Sequence, residues 1–275
     1  MTRKPRAIPH LFSDWEAVRH SIERRGRVTL FLDFDGTLAH IAPAPDQVRV
    51  EQGTRTALAK LAQHSSVSVV VISGRRRAEL QRHIGVPGVT YLGLYGWETN
   101  GRMALPFAVR EALVGTILEL VARLPQNSGV WVEPKGGSFS VHLMGVTAEM
   151  RRSVESLVAH LVKPRREILK VIANLRDLEV APVAIGDKGA GVRRILSAPA
   201  ARGALPIYFG DDLSDEPGFA AARAGISVLV GKRRDTRAKF CVRGPAEVTE
   251  ALSRMEEIVR WKERPRRLSS MPSLT

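Results

Sequence analysis

Cysteine is almost absent from this chain of 275 residues, Cys241 being the only one. A lone cysteine excludes an intramolecular disulfide and any cysteine-rich zinc site, and it suits a reducing compartment. Its expected role is that of a small packed side chain. Aromatic residues make up only 5%, too few to interleave with charge as single-stranded nucleic-acid binders require. No apolar run approaches the roughly 18 to 20 residues of a membrane helix. The N-terminus MTRKPRAIPH lacks the apolar core of a secretory signal. The sequence therefore predicts a cytoplasmic protein with no membrane partner. Several site patterns are also missing: G-x-x-x-x-G-K-[ST], G-x-G-x-x-G after a strand, G-x-S-x-G and H-E-x-x-H. Their absence disfavours P-loop nucleotide hydrolysis, dinucleotide binding, serine hydrolysis and zinc proteolysis.

Basic residues are in excess, 42 Lys and Arg against 28 Asp and Glu, for a formal net charge of +14. A hydrophobic fraction of 44% and a mean hydropathy of −0.09 describe a globular protein, of a length that fits one large domain or two modest ones. The charge invites a nucleic-acid reading. Its sources are Arg75-Arg76-Arg77, Lys163-Pro164-Arg165-Arg166, Lys232-Arg233-Arg234 and Arg264-Pro265-Arg266-Arg267. These runs are scattered over helix faces, loops and a tail without a recognised binding module, so they read as solvated surface. No specific nucleic-acid partner is expected.

Two periodicities alternate along the chain. Nearly continuous β-branched runs occur at residues 28–34, 67–73, 207–211 and 226–230, the pattern of strands buried on both faces of a parallel sheet. Helical spacing lies between them. Ser13 and Glu16 make a capping-box signal ahead of Val18 and Ile22, and Val248, Leu252, Met255 and Val259 form a stripe near the end. This alternation predicts an α/β protein with a doubly wound, mainly parallel sheet. The stretch between the second and third runs is too long for one crossover. It holds helical patterns at 107–124 and 147–162, the latter capped by Thr147, and strand-like pieces VWVEP, SFSVHL, LKVIA and LEVAP. The expected organisation is a core at 11–100 and 181–262, an inserted α/β domain at 101–180, and flexible termini at 1–10 and 263–275.

Ligands of open parallel sheets bind beyond the carboxyl ends of the strands, so polar residues ending the apolar runs are the candidates. The first run ends in Asp33-Phe34-Asp35-Gly36-Thr37. Residues two apart on a strand share a face, and two carboxylates forced together call for a compensating hard cation. A surface turn is the plain alternative, made unattractive by the apolar run leading into the pair. The second run ends in Ser73-Gly74-Arg75, where a hydroxyl and backbone N–H groups could hold a phosphate oxygen at a helix start. Lys188 sits in Gly186-Asp187-Lys188-Gly189 before another helical pattern. By itself it would be a solvated charge. The run at 207–211 continues into Asp211-Asp212-Leu213-Ser214-Asp215-Glu216, either an exposed helix cap or a second set of metal ligands.

In this order the four clusters resemble the signature motifs of the haloacid dehalogenase superfamily of phosphohydrolases. Further stretches, GLYGWE at 93–98, VEPKGGSFSVHL at 132–143, LEVAP at 178–182 and YFGDDLSDEPGF, resemble the trehalose-6-phosphate phosphatases, over about residues 25–255. That resemblance implies a Rossmann-like core, Mg2+-dependent hydrolysis of a sugar phosphate, and a set of roles. Asp33 would be the nucleophile and Asp35 the general acid and base. Asp33, the backbone carbonyl of Asp35, Asp211 and Asp215 would hold Mg2+. Ser73 and Lys188 would bind the transferring phosphoryl group, with Gly36, Thr37, Gly74 and Arg75 around the substrate. In the cap, Glu133, Lys135 and Glu179 would contact sugar hydroxyls, and His142 matches the histidine of the family's H-Y-R. The sequence departs from the family pattern at Met144, where that arginine is expected, at Leu175, where a basic residue is usual although Arg176 adjoins it, and at Tyr95, where histidine is common. The expected substrate is trehalose 6-phosphate, with sucrose phosphate or a mannosyl- or glucosyl-phosphoglycerate as alternatives, and a monomer is favoured.

Overall fold

The computed structural model describes residues 8–42, 45–98, 105–231 and 235–263. The Lys232-Arg233-Arg234 run, the Arg264-Pro265-Arg266-Arg267 piece, residues 1–7 and the tail from 264 lie outside the described residues. The elements in chain order are α1 (Trp15–Arg25), β1 (Val28–Leu32), α2 (Gln52–Ala62), β2 (Val67–Ile72), α3 (Arg77–Ile84), β3 (Thr90–Leu92) and α4 (Phe107–Arg123). There follow β4 (Trp131–Pro134), β5 (Phe139–His142), α5 (Ala148–Val162), β6 (Leu169–Ala173) and β7 (Asp177–Pro182). The chain continues through α6 (Lys188–Leu196), β8 (Leu205–Gly210), α7 (Glu216–Ala221), β9 (Ile226–Val230), β10 (Phe240–Val242) and α8 (Pro245–Glu263).

The larger sheet has six strands in the order β10-β9-β8-β1-β2-β3, and its strand pairs are parallel. All five residues of β1 are buried, because the strand alternates between two apolar layers. Leu30 and Leu32 face a layer with Leu58 of α2, Leu80 of α3 and Leu252 of α8, joined by Val18 and Ile22 of α1. Phe31 faces the opposite layer with Val192 of α6 and Phe219 of α7. The sheet is thus doubly wound, as its unbroken apolar runs imply. Because β1 pairs with both β2 and β8, chain direction across the sheet reverses beside it, and the carboxyl ends of β1 and β8 flank that switch point.

A second, antiparallel sheet of order β4-β5-β7-β6 lies within the stretch between β3 and α6. Its period-two alternation sorts the cap residues. Phe139, Val141, Leu178 and Val180 point at Leu113 and Leu120 of α4 and Val154, Val158 and Leu161 of α5. The intervening Trp131, Glu133, Ser140, His142, Asp177 and Glu179 therefore share the opposite face. Registers of Trp131 with His142 and of Glu133 with Ser140 place them side by side.

Local details depart from the sequence reading. Residue Ser13 does not cap α1: a 3-10 turn (Leu11–Asp14) precedes it, and Asp14 stands at the N-cap with no side-chain bond. Thr147 does cap α5, accepting from the Met150 N–H at 3.2 Å. Residues 8–10, grouped with the flexible N-terminus by composition, are packed instead. Ile8 is buried, Pro9 accepts from the Cys241 N–H at 3.0 Å, and the Cys241 side chain is buried beneath them. Among the described basic runs, Lys163 and Arg166 are exposed as expected, but others are not free charges. Arg165 binds Glu119 at 2.6 Å, and Arg75 and Arg76 are both engaged, as described below. No helix among the described residues is long and apolar enough to cross a membrane.

Candidate active site

The first strand stops at Leu32, so Asp33, Phe34 and Asp35 leave the sheet where the backbone N–H of Asp33 still donates to Phe209 of β8 (3.0 Å). Asp33 is buried. Its Oδ1 accepts from Lys188 Nζ at 2.6 Å, and the same ammonium donates to Asp215 Oδ1 at 2.7 Å. Lys188 is the first residue of α6, so the helix start delivers it to the end of the sheet. Asp215 is fully buried and its acceptors are committed. Oδ1 also takes the Tyr208 hydroxyl at 2.8 Å, and Oδ2 takes the backbone N–H groups of Asp211 and Asp212 at 3.0 and 2.9 Å. It anchors the lysine and the loop after β8.

Carboxylate oxygens of Asp33, Asp211 and Asp215 lie within 4.8 Å of one another. Asp211 Oδ1 is buried and has no hydrogen-bond partner. An orphaned buried oxygen among converging carboxylates has the chemistry of a divalent-cation site, since an uncompensated buried acceptor is costly. Gly36 makes the convergence possible: at φ +87°, its missing Cβ would fall on the Asp211 carboxylate. Electrostatics agree. Burial raises Asp33 well above the ordinary aspartate value, opposed by Lys188 and reinforced by Asp215 and Asp211. Burial, then Asp215, pushes Asp211 up to about 6 against the pull of Arg176. Lys188 is desolvated, yet the two aspartates raise its pKa and keep it charged.

Asp35 lines the same cleft as Asp33 but has a different partner. Its side chain stands outside the trio and is gripped by Arg75, Nε to Oδ2 at 2.6 Å and Nη2 to Oδ1 at 2.7 Å. Arg75 is itself buried, with its guanidinium 5.2 Å from the Phe34 ring centroid. Ser73 is buried at the end of β2 and its Oγ accepts from the Arg75 N–H at 3.2 Å.

These groups line an open cleft shared by core and cap, the concave setting of small-molecule sites. The core contributes Asp33, Asp35, Ser73, Gly74, Arg75 and Lys188, and the cap contributes Glu133, Lys135 and His142. Thr37 is fully buried and outside the lining. Glu179, also fully buried, reaches the cleft through Lys135, whose Nζ donates to it at 2.9 Å, while Ser140 donates to the same oxygen. Its other oxygen is unpartnered. Glu133 pairs with His142 Nε2 at 2.9 Å, and the Trp131 ring stacks on His142 at 3.7 Å between centroids. Glu133 and Lys135 are therefore not the solvated strand pair that their residue types alone suggest.

Of the other lining residues, Asn174 escaped the sequence reading, and Arg176 entered it only as the neighbour of Leu175. Asn174 reaches across to the Tyr95 hydroxyl at 3.3 Å. Arg176, beside the unusual Leu175, donates to Asp211 Oδ2 at 2.5 Å and approaches Asp212 at 3.4 Å, and the Leu175 N–H donates to Asp212 at 2.9 Å. Their sequence signal was only a polar hairpin turn, Asn174-Leu175-Arg176-Asp177, between strands. Tyr95 lines the cleft with a left-handed φ of 59°. Met144 lines it too and is 45% exposed, offering no charge where an arginine was expected.

Residues 31–246 match the family model described as trehalose-phosphatase. A trehalose-phosphate phosphatase of Mycobacterium marinum is 30% identical over 243 residues, covering 83% of this chain and 61% of the relative. A probable trehalose-phosphate phosphatase of Oryza sativa is 28% identical over 98% of this chain and 74% of its own length. The chain thus spans about 61% of the length of the mycobacterial relative. Among solved structures, the C-terminal domain of the Candida albicans trehalose-6-phosphate phosphatase superposes with a TM-score of 0.77 at 18% identity, over 91% of this chain and 98% of that one. The likeness extends the core-and-cap fold to that protein. A haloacid dehalogenase-like hydrolase of Bacteroides thetaiotaomicron superposes with a TM-score of 0.58 at 17% identity, over 83% of this chain and 99% of that one.

Proposed function

The chain belongs to the trehalose-phosphatase family, and from that premise we propose that it hydrolyses trehalose 6-phosphate to trehalose and phosphate, as a step of trehalose biosynthesis. The observation that carries the reading is the buried Asp33–Lys188–Asp215 set beside the orphaned Asp211 oxygen at the sheet's switch point. We place it in the cytoplasm, as a monomer acting on a small molecule and without a specific nucleic-acid partner.

The donors are anionic oxygens, which suit a hard cation, and Mg2+ is the ion we assign. Asp33, Asp211 and the backbone carbonyl of Asp35 would hold it, with Asp215 supporting from behind. When bound it supplies positive charge that lets an anionic nucleophile meet an anionic phosphate.

Asp33 attacks phosphorus in line with the oxygen not held by Lys188, and the bond from phosphorus to the sugar oxygen breaks as an aspartyl-phosphate forms. Asp35 gives the departing oxygen its proton, then removes one from the water that attacks the aspartyl-phosphate and restores Asp33. Both Asp35 oxygens accept from Arg75, which holds the carboxyl in place beside the phosphate site. Lys188 and Ser73 bind the substrate's phosphoryl oxygens, the lysine placing charge where it develops. In the cap, Glu133, Lys135 and His142 meet the sugar hydroxyls, with Glu179 holding Lys135 from behind.

A second reading rests on Met144. An apolar side chain on the cleft wall removes the fixed donors of a guanidinium from a polyol site, which favours a different sugar phosphate: sucrose phosphate or a mannosyl- or glucosyl-phosphoglycerate. Phosphate release from a panel of these compounds, with and without Mg2+, decides between the two. Preferred turnover of trehalose 6-phosphate supports the first, and better turnover of another compound replaces it.

A further inference from the structure

The basic run Arg75-Arg76-Arg77 contains a residue that the phosphatase chemistry leaves unused. Arg76 directs Nε and Nη2 onto Glu98, at 3.1 and 2.9 Å, and extends Nη1 across to the cap, where it donates to the backbone carbonyl of Lys135 at 2.8 Å. Glu98 is itself fixed, because its Oε2 also accepts from the Arg77 N–H at 2.8 Å. A bidentate carboxylate sets the plane of the guanidinium, and the remaining nitrogen is aimed at the turn between β4 and β5. That turn is built for the approach. Gly136 has φ +74°, a backbone shape that favours glycine, and a Cβ there would stand 2.8 Å from Arg76 Nη1. Lys135, held at its carbonyl, is the residue whose Nζ engages the buried Glu179.

We propose that Arg76 is a positioning residue for substrate specificity: a core side chain that sets the cap's Lys135 turn over the phosphate site, so that Lys135, backed by Glu179, meets the sugar. The proposal rests on the sugar-phosphatase reading above. It requires that Arg76 matter more for a disaccharide phosphate, which must be read by the cap, than for a phosphate ester too small to need it. A residue serving stability alone would affect both substrates alike.

The test compares wild-type protein with Arg76→Ala in the presence of Mg2+, using trehalose 6-phosphate and p-nitrophenyl phosphate. The ratio of kcat/KM for the sugar phosphate to that for the aryl phosphate falls about tenfold in the variant, chiefly through KM, as expected for one charge-assisted hydrogen bond. An unchanged ratio overturns the proposal, whether or not both activities decline. Amide hydrogen exchange over residues 134–138 gives a readout that needs no substrate. Exchange about tenfold faster in the variant supports the clamp, and equal exchange overturns it. If the wild-type protein releases no phosphate from trehalose 6-phosphate, the functional reading fails, and the exchange measurement alone decides the clamp.

Discussion

Gly36 and Asp211 approach so closely that a Cβ on the glycine would lie 2.1 Å from Oδ2 of the aspartate. Gly36→Ala therefore displaces the carboxylate, and the left-handed φ of +87° adds backbone strain of about 1–2 kcal/mol. Isothermal titration with Mg2+ should show affinity weakened by about 10- to 100-fold, with phosphatase activity falling in step. An unchanged affinity would remove Asp211 from the metal site.

Lys188 neutralises two buried carboxylates at once. Lys188→Ala leaves both uncompensated, and removing one partner from a buried pair costs about 3–5 kcal/mol. Urea denaturation should show that loss, and stopped assays should show activity reduced by at least about a hundredfold. A variant of wild-type stability would mean that the aspartates accept protons or water without penalty.

Tyr208→Phe isolates the support of Asp215, since the ring stays packed between Phe31 and Phe219 while the hydroxyl donor is lost. Thermal denaturation should report about 1–2 kcal/mol, and kcat should fall less than in Lys188→Ala because the lysine still holds Asp215.

Acid should loosen the joint at Glu98. Burial raises its pKa, but the Arg76 side chain, the Arg77 N–H and both arginine charges outweigh this and hold it below the ordinary glutamate value of 4.5. A depressed folded-state value means that the ion pair stabilises the protein above the unfolded value and that this contribution disappears as pH falls through the folded one. Glu98→Gln should lower Tm at pH 7, with a cost of about 1 kcal/mol, and the difference from wild type should shrink as pH falls below the ordinary glutamate value and vanish once it is below the depressed one. A difference independent of pH would contradict the assignment.

Legibility in the sequence followed the physics of each element. The runs 28–34, 67–73, 207–211 and 226–230 were readable as strands because burial on both faces leaves little polar interruption, and Asp33, Ser73 and Asp211 were readable because strand ends collect ligand groups, whereas Lys188, at a helix start, was singled out only by the resemblance. Strands β3 and β10 were not, being edge segments of three residues each with too little pattern to detect. Asp33 and Asp35 both line the cleft as read, but the pairing of Asp35 with Arg75 rather than with the carboxylate trio had no signal in the sequence. Arg75 and Arg76 carried the same signal as solvated charge, and only folding brings Asp35 to one and the cap turn to the other. Composition likewise hid the packing of Ile8 and Pro9 on β10, since the surrounding residues are basic and apolar periodicity is absent.

The central claim is that Asp33 carries the phosphoryl group of trehalose 6-phosphate. Phosphate release from that substrate with Mg2+, measured for the wild-type protein and for Asp33→Asn, tests it most directly. The account predicts release by the wild type and loss of at least about a thousandfold in the variant, whose amide is no nucleophile for phosphorus. Release by Asp33→Asn near the wild-type rate would contradict it.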